Sequence, residues 1–433
     1  MTGSDSDPRV LVVTTLRWLS TARLGLALSD AGFAVSAVCP TGHALRGAGF
    51  LHRVWRSDPI SPLATLREAI LSTEPDLIVP CDERAVAQLL SLHASASGED
   101  AVSVGLRAVI ERSLGARQCF PILQARGQAS DLAAREGVST AETAVVACRA
   151  DVARCAAAWG FPLVLKTDGS WGGLGIRIVR DRDEAARAFD DLGRPPSLAR
   201  AVWRVIKDQD DGGLECWWRR TRPAVTAQRF VPGIPANVAA ACWKGRVLAT
   251  VTVEAIRTAG DRGPATVVRR VESPDMTAAV TSLAHRLELS GFCGFDFMRD
   301  ESDGRYYLIE INARATPTCH LISPDGVDLP TALRAAVAGE SPPAAEKTTV
   351  GEIIALFPQE MLRDPESLYL TAACHDLPNR AEFLIHAANG ELARRRRLEV
   401  LERYVRRMAG LSRATEPSAE TNEPGYRPAK APA

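Results

Sequence analysis

The sequence predicts an α/β and α+β protein, with a small parallel-sheet N-terminal domain followed by two α+β modules rich in hairpins. Three observations carry that expectation. Apolar runs alternate with helical patterns over residues 9–105. A glycine-rich loop at 168–175, preceded by Lys166, joins two short apolar runs. Two later apolar runs hold Asp296, and Glu310 with Asn312, inside them.

Residues 9–14 (RVLVVT) form an apolar run that ends in a polar turn, and a helical pattern over 16–31 leads to a second run at 34–39. The unit then repeats, with a helix over 63–73, a run at 76–80, a helix around 83–92 and a strand at 102–104. Such alternation builds a helix-covered parallel sheet whose strand ends, here Thr14, Thr15 and residues 80–83, border a ligand crevice. Asp82 and Glu83 are expected to complement a helix dipole rather than to act in catalysis. No dinucleotide glycine fingerprint follows the first strand.

Residues 109–136 read as mainly helical, broken at Phe120-Pro121 and capped by Gly137. A strand at 143–148, a helix at 151–159, the hairpin at 161–179 and a helix at 183–190 compose the smaller module. Residues 193–222 stay unassigned; Trp217 and Trp218 lie among arginines there, and suit a domain joint as well as a ligand-facing patch. The larger module takes a strand at 226–231, a hairpin over 238–255 turning at Lys244-Gly245, a helix at 276–289, a hairpin over 291–311 and a helix at 329–338. A strand at 351–357 and an Arg-rich helix at 392–408 follow, with the arginines at 394–397 read as a solvated face. The expected domains are 1–105, 106–225, 226–345, an extension at 346–411, and a tail at 412–433 too poor in apolar residues to fold.

Composition narrows the partners. Lys+Arg and Asp+Glu both total 52 in 433 residues, so no overall basic field recruits nucleic acid. No apolar run reaches membrane-spanning length, and the polar start lacks a secretory pattern. The 10 cysteines are scattered without zinc spacing, as in a reduced cytoplasmic protein. Small molecules are the expected partners, without membrane or nucleic acid.

The chemistry-bearing residues fall into two groups. Gly169, Gly172, Gly173 and Gly175 allow backbone N–H groups to turn toward an anion, and Lys166 adds a cation beside them. The pattern is that of a phosphate cradle, although it is neither a Walker loop nor a dinucleotide loop. Glu310 and Asn312 share one face of a strand through its period of two, and pairing with the strand of Asp296 adds a third oxygen. An oxygen-only set of this kind suits Mg²⁺, with Mn²⁺ as the alternative. Arg314, two residues on, adds a positive fork for phosphate. Arg257, Arg269 and Arg270 are further candidates for gripping an anionic substrate.

The order of Lys166, the glycine-rich hairpin loop, the QRFVPG strand end at 228–233, Asp296, Glu310-Ile311-Asn312 and Arg314 resembles the ATP-grasp superfamily over residues 105–345. The first sheet resembles the domain that precedes it in that superfamily. The resemblance implies that Lys166 contacts the α- and β-phosphates of ATP and that the glycine loop closes over the nucleotide. Arg126 stands where the family has a lysine or arginine. Gln228, Arg229, Phe230 and Val231 would form the hinge beside adenine, with Arg229 replacing the acidic residue of many members. Asp296, Glu310 and Asn312 would hold Mg²⁺, and Arg314 would stabilise the transferred phosphoryl group. The implied activity is a carboxylate–amine ligase that forms an acyl phosphate, releases ADP and phosphate, and makes an amide, working as a homodimer. The alternatives are a thiol or bicarbonate acceptor, or a nucleotide-binding regulator without turnover.

Overall fold

A computed structural model describes residues 7–167, 175–208, 210, 212–220, 222–260, 263–343 and 347–408. The N-terminal part runs β1 (Arg9–Val13), α1 (Leu19–Asp30), β2 (Ala34–Cys39), β3 (Arg53–Arg56), α2 (Pro62–Thr73), β4 (Leu77–Pro80), α3 (Glu83–Ser95) and α4 (Ala101–Leu114). Its four strands pair in parallel in the order β3-β2-β1-β4. Parallel strands are covered on both faces, which is why β1 reads as unbroken apolar sequence. Val10 and Val12 pack with Ala22, Leu26 and Leu28, while Leu11 and Val13 pack with Leu66, Ile70, Leu89 and Ile110.

The strand expected at 102–104 is instead the first turn of α4. Asp100 caps it by accepting from the N–H groups of Val102 at 3.1 Å and Ser103 at 3.0 Å. The buried Leu106, Val109, Ile110 and Leu114 then follow helical spacing, and this pattern outweighs the β-branched pair. The fourth strand of the sheet is β3, which sequence reading passed over because two of its four residues are arginines at the strand ends.

Asp82 ties the strand ends together. It caps α3 by accepting from Ala85 N–H at 2.9 Å, and also accepts from Thr15 N–H at 2.6 Å and from the hydroxyls of Thr14 and Thr15 at 2.9 and 2.8 Å. The expected role at a helix N-terminus is what the structure shows for this residue, and the two threonines are occupied by it.

The middle of the chain runs α5 (Phe120–Gln124), α6 (Arg126–Arg135), β5 (Thr143–Val146), α7 (Arg149–Trp159), β6 (Leu163–Thr167), β7 (Ile176–Val179), α8 (Arg182–Leu192), α9 (Leu198–Asp208), α10 (Gly212–Arg219) and β8 (Val225–Arg229). The antiparallel order is β5-β8-β6-β7. β8, expected with the larger module, lies at the centre of this smaller sheet, because its alternate residues Val225 and Ala227 bury against Leu163, Leu165 and Val146. The unassigned segment forms α9 and α10. Trp218 is 79% exposed there and so is not packed at a domain joint, while Trp217 is half-buried.

The larger sheet follows, with β9 (Gly233–Trp243), β10 (Arg246–Thr258), β11 (Ala265–Arg270), α11 (Pro274–Arg286), β12 (Gly291–Asp300), β13 (Tyr306–Asn312), α12 (Leu329–Ala338), β14 (Ile353–Ala355), α13 (Gln359–Arg363) and α14 (Glu382–Met408). Its order is β13-β12-β9-β10-β11-β14, leaving β13 at an edge. The β9–β10 turn has positive φ at Lys244 (50°) and Gly245 (77°), the conformation that suits the twist of a two-residue hairpin. One face of the sheet packs Val238 and Ala240 against Val280 and Leu283 of α11; the other packs Ala239, Ala241 and Val253 into the cluster that includes Val10 and Val12. From Asn389 the chain forms a second compact unit, in which Glu391 pairs with Arg394 and Arg395. Among the described residues no helix is long and apolar enough to cross a membrane.

Replacing Asp82 by Ala removes the cap and the acceptor of the buried Thr15 hydroxyl, while the Thr14 hydroxyl keeps the Leu16 carbonyl at 3.0 Å. The expected loss is about 2–4 kcal/mol in urea unfolding. A loss below about 0.5 kcal/mol would show that the strand-end network contributes nothing.

Candidate active site

The site begins with one pairing register. Asp296 of β12 stands opposite Glu310 of β13, and Gly294 opposite Asn312, so Asp296, Glu310 and Asn312 share a face of the sheet. Asn312 Nδ2 donates to Asp296 Oδ2 at 2.8 Å, and Asn237 of β9 donates to Asp296 Oδ1 at 2.7 Å. Asn237 in turn accepts from the Thr318 hydroxyl at 3.1 Å. Asp296 is therefore oriented from two neighbouring strands. Its carboxyl is pushed above the usual range by burial and by the charge of Glu310.

Two arginines close on this register. Arg126, the first residue of α6, donates to Glu310 Oε1 from Nε at 3.0 Å and also to the carbonyl of Thr167 at the end of β6. Arg314 donates from Nε to Glu83 Oε1 at 2.8 Å and approaches the Asn312 amide oxygen at 3.2 Å. Burial opposes the charge on Glu310, but Arg126 and Lys166 outweigh it and hold that carboxyl low. Lys166 is 5% exposed on β6; burial pushes its ammonium down to about 8, against the pull of Glu310. Arg126 adds to the lowering, and Asp296 opposes it.

Six of the residues singled out from sequence thus converge: Arg126, Lys166, Asp296, Glu310, Asn312 and Arg314. Gly169, Gly172 and Gly173 lie outside the described residues, while Gly175 is described and its carbonyl accepts from Thr167 N–H at 3.0 Å. The 228–231 segment is engaged elsewhere through its side chains. Gln228 donates to the Thr143 hydroxyl at 2.8 Å and to the Ile309 carbonyl at 3.3 Å. Arg229 pairs with Glu142 and lies 5.3 Å over the Tyr307 ring. Phe230 is half-buried and Val231 buried.

The arginines of β10 and β11 do not join this group. Arg257 lies 5.9 Å over Tyr369, Arg269 stands opposite Glu254 in the β10–β11 register, and Arg270 is clamped by Glu352 at 3.1 Å and the Ile322 carbonyl at 2.6 Å. Glu254 itself accepts from Arg299 at 2.6 Å and from the Tyr306 hydroxyl at 2.7 Å.

Sequence reading missed Glu83 and Asn237 as site residues. Glu83 had a usable signal, since it follows the end of β4 in the strand-end crevice. Asn237 had none: a lone amide in a small-residue strand shows its role only once the register is known. Glu83 also opens onto a cleft of about 970 Å³, counting space open to solvent, between α3, the α5–α6 segment and β13. Arg126, Glu310 and Arg314 line its polar side, and Val86, Ala87, Ile122 and Leu123 its apolar side. Arg84, the next residue of α3, pairs with the buried Asp210, which also pairs with Arg204 of α9.

A family profile described as an ATP-grasp domain matches residues 152–318. Comparison with curated proteins found no match. Among solved structures, the biotin carboxylase domain of Hydrogenobacter thermophilus 2-oxoglutarate carboxylase, in complex with MgADP, ADP and bicarbonate, is 16% identical with a TM-score of 0.56, over 81% of this chain and 74% of that one. The ADP complex of N5-carboxyaminoimidazole synthetase from Staphylococcus aureus is 14% identical, with a TM-score of 0.54 and 80% of each chain covered. The biotin carboxylase of Campylobacter jejuni, in its β,γ-ATP complex, is also 14% identical, with a TM-score of 0.54 over 80% of this chain and 74% of that one. These likenesses show a shared fold, and the stretch that carries β6 to β13, residues 152–318, is an ATP-grasp domain.

Proposed function

We propose that the chain is an ATP-dependent ligase that activates a carboxylate as an acyl phosphate and joins it to an amine. The carrying observation is the meeting of Lys166, Arg126, Asp296, Glu310, Asn312 and Arg314, drawn from β6, α6, β12, β13 and the turn beyond, in one half-buried cluster. Fold-mates solved with ADP or ATP analogues support the nucleotide.

The donor set fits a hard divalent cation. It offers two carboxylates and an amide, with Asp296 opposite Glu310 in the β12–β13 register and the Asp296 carboxyl raised first by burial and then by the charge of Glu310. Asp296, Glu310 and Asn312 would hold Mg²⁺, with the Asn312 amide turning so that its oxygen leaves Arg314. Bound there, Mg²⁺ would neutralise charge on the phosphate oxygens.

The remaining work falls to the chain's own cations. Lys166 and Arg126 would bind phosphate oxygens from the lid side, where Arg126 already reaches the Thr167 carbonyl at the mouth of the glycine loop. Arg314, fixed by Glu83, would face the phosphoryl group as it passes to the carboxylate oxygen and ADP departs. The amine nitrogen then bonds to the acyl carbon, phosphate leaves, and the nitrogen gives up a proton. Positioning and fixed charge supply the rate enhancement, and no protein nucleophile is needed.

Lys166→Ala should weaken nucleotide binding roughly 10–100-fold, the value of one charge-assisted contact. Glu310→Ala should lower turnover by about 10³-fold or more while changing nucleotide affinity less than about tenfold. Wild-type turnover in both variants would remove the site assignment.

The lysine also sets a pH signature. Its ammonium is half-neutral near pH 8 in the free protein, and a bound triphosphate raises its pKa again. Nucleotide binding at pH 9 should therefore take up close to one proton, roughly, and the uptake should fade below pH 7. Calorimetry in buffers of different ionisation enthalpy reads this directly, and uptake that persists unchanged in Lys166→Met would assign the proton to another group.

A further inference from the structure

The turn that follows β13, residues 313–319, folds back over β12. Ala315 N–H donates to the Pro80 carbonyl at 3.0 Å, and Thr316 N–H approaches Cys319 Sγ at 3.2 Å. The close approach depends on Gly294 of β12, since a Cβ there would stand 2.2 Å from Cγ2 of Thr316. Arg314 leaves the start of this turn toward Glu83, and Thr318, 5% exposed, lies near its end.

Thr318 reaches the oxygen-ligand group through one residue. Its hydroxyl donates to Asn237 Oδ1 at 3.1 Å, while Asn237 Nδ2 donates to Asp296 Oδ1 at 2.7 Å and to the Phe295 carbonyl at 3.3 Å. The amide orientation follows from these partners. A carboxylate and a carbonyl accept, so the amide NH₂ faces them, and the amide oxygen on the far side needs a donor. Thr318 is that donor. Without it the amide is free to turn over and set its oxygen against the Asp296 carboxylate, which puts repulsion where a donor stood.

The two oxygens of Asp296 are held unequally. Oδ1 takes its bond from Asn237, which is locked in turn by Thr318. Oδ2 takes its bond from Asn312 Nδ2 at 2.8 Å, an amide whose own oxygen is held only by Arg314 at 3.2 Å. When the Asn312 amide turns toward a cation, Oδ2 is released and Oδ1 keeps its donor.

We propose that Thr318 is a positioning residue for Asp296: through Asn237 it holds Oδ1 in place and leaves Oδ2 for a divalent cation. The same hydroxyl ties the turn that carries Arg314 to β9, so the metal ligand and the cation facing the phosphoryl group share one frame. This rests on the Mg²⁺ assignment above and adds what keeps its ligand in shape.

The test is Mn²⁺ titrated into the full chain with an equimolar β,γ-methylene ATP analogue, bound Mn²⁺ being read by electron paramagnetic resonance without turnover. Thr318→Val, which keeps the shape and removes the hydroxyl, should weaken Mn²⁺ binding roughly 10–100-fold, the usual effect of losing an outer partner of a metal ligand. Thr318→Ser, which keeps the donor, should restore most of that affinity. Binding of the analogue in EDTA should be the same in both variants, whereas a general structural defect would lower it. Wild-type Mn²⁺ binding in Thr318→Val, or a loss in Thr318→Ser as large as in Thr318→Val, would overturn the proposal. If Thr318→Val does not fold, Asn237→Ala decides, since it leaves Asp296 Oδ1 without its donor and should show the same loss. Asp296→Asn separates this inference from the reading beneath it. Mn²⁺ binding lost there but kept in Thr318→Val leaves the metal site standing and removes the role of Thr318; binding kept in Asp296→Asn removes both. Thr318-dependent binding in a chain that makes no ADP keeps this inference and loses the ligase reading.

Discussion

The register that sets Asp296 opposite Glu310 is the constraint on which the rest of the site depends. It places two carboxylates on one face of the β12–β13 hairpin, at the edge of the larger sheet. A slip of one residue would turn both to the α11 side, where Phe295 and Phe297 are packed. Those two phenylalanines, Val238 and Ala240 thus hold the carboxylates in place through the alternation of the strand. A bulge just past the Asp296–Glu310 pair ends the regular match there, since Phe297 pairs with Leu308 and Ile309 is passed over.

Two arginines then connect that edge to the rest of the molecule. Arg126 links β13 to the end of β6, and Arg314 links it to the N-terminus of α3 in the parallel-sheet part. Each carries a cation into a place where burial alone would disfavour it, and each is matched by a carboxylate. Such pairs add little net stability over apolar packing, but removing one partner is costly. Their value here lies in fixing charge at a set geometry before a ligand arrives, which is how a protein stabilises charge that develops during a reaction. Burial lowers the lysine and raises Asp296, while the charges of Arg126 and Lys166 hold Glu310 low against its own burial.

Much of this was legible in the sequence, and the parts that were not share a cause. The alternation of apolar runs with helical spacing foretold the parallel sheet, and the period of two in the 308–312 run foretold that Glu310 and Asn312 share a face. The residues at 102–104 misled because two valines suggest a strand over so short a window, whereas the cap at Asp100 and the spacing out to Leu114 act over a longer one. The sheet to which β8 belongs, the tie between Gln228 and Thr143, and the contact of Glu83 with Arg314 across 231 residues all depend on long-range pairing that no local pattern encodes. The same holds for Asp210, whose anchoring of α9 and α10 to α3 is visible only in three dimensions.

The central claim is that the carboxylate substrate becomes an acyl phosphate. It is tested most directly by supplying ¹⁸O-carboxylate-labelled acids with ATP, Mg²⁺ and an amine, and following the label by mass spectrometry. The account predicts ADP as the nucleotide product and one ¹⁸O in the released phosphate, both lost in Glu310→Ala. Label in AMP, with pyrophosphate released, would contradict it.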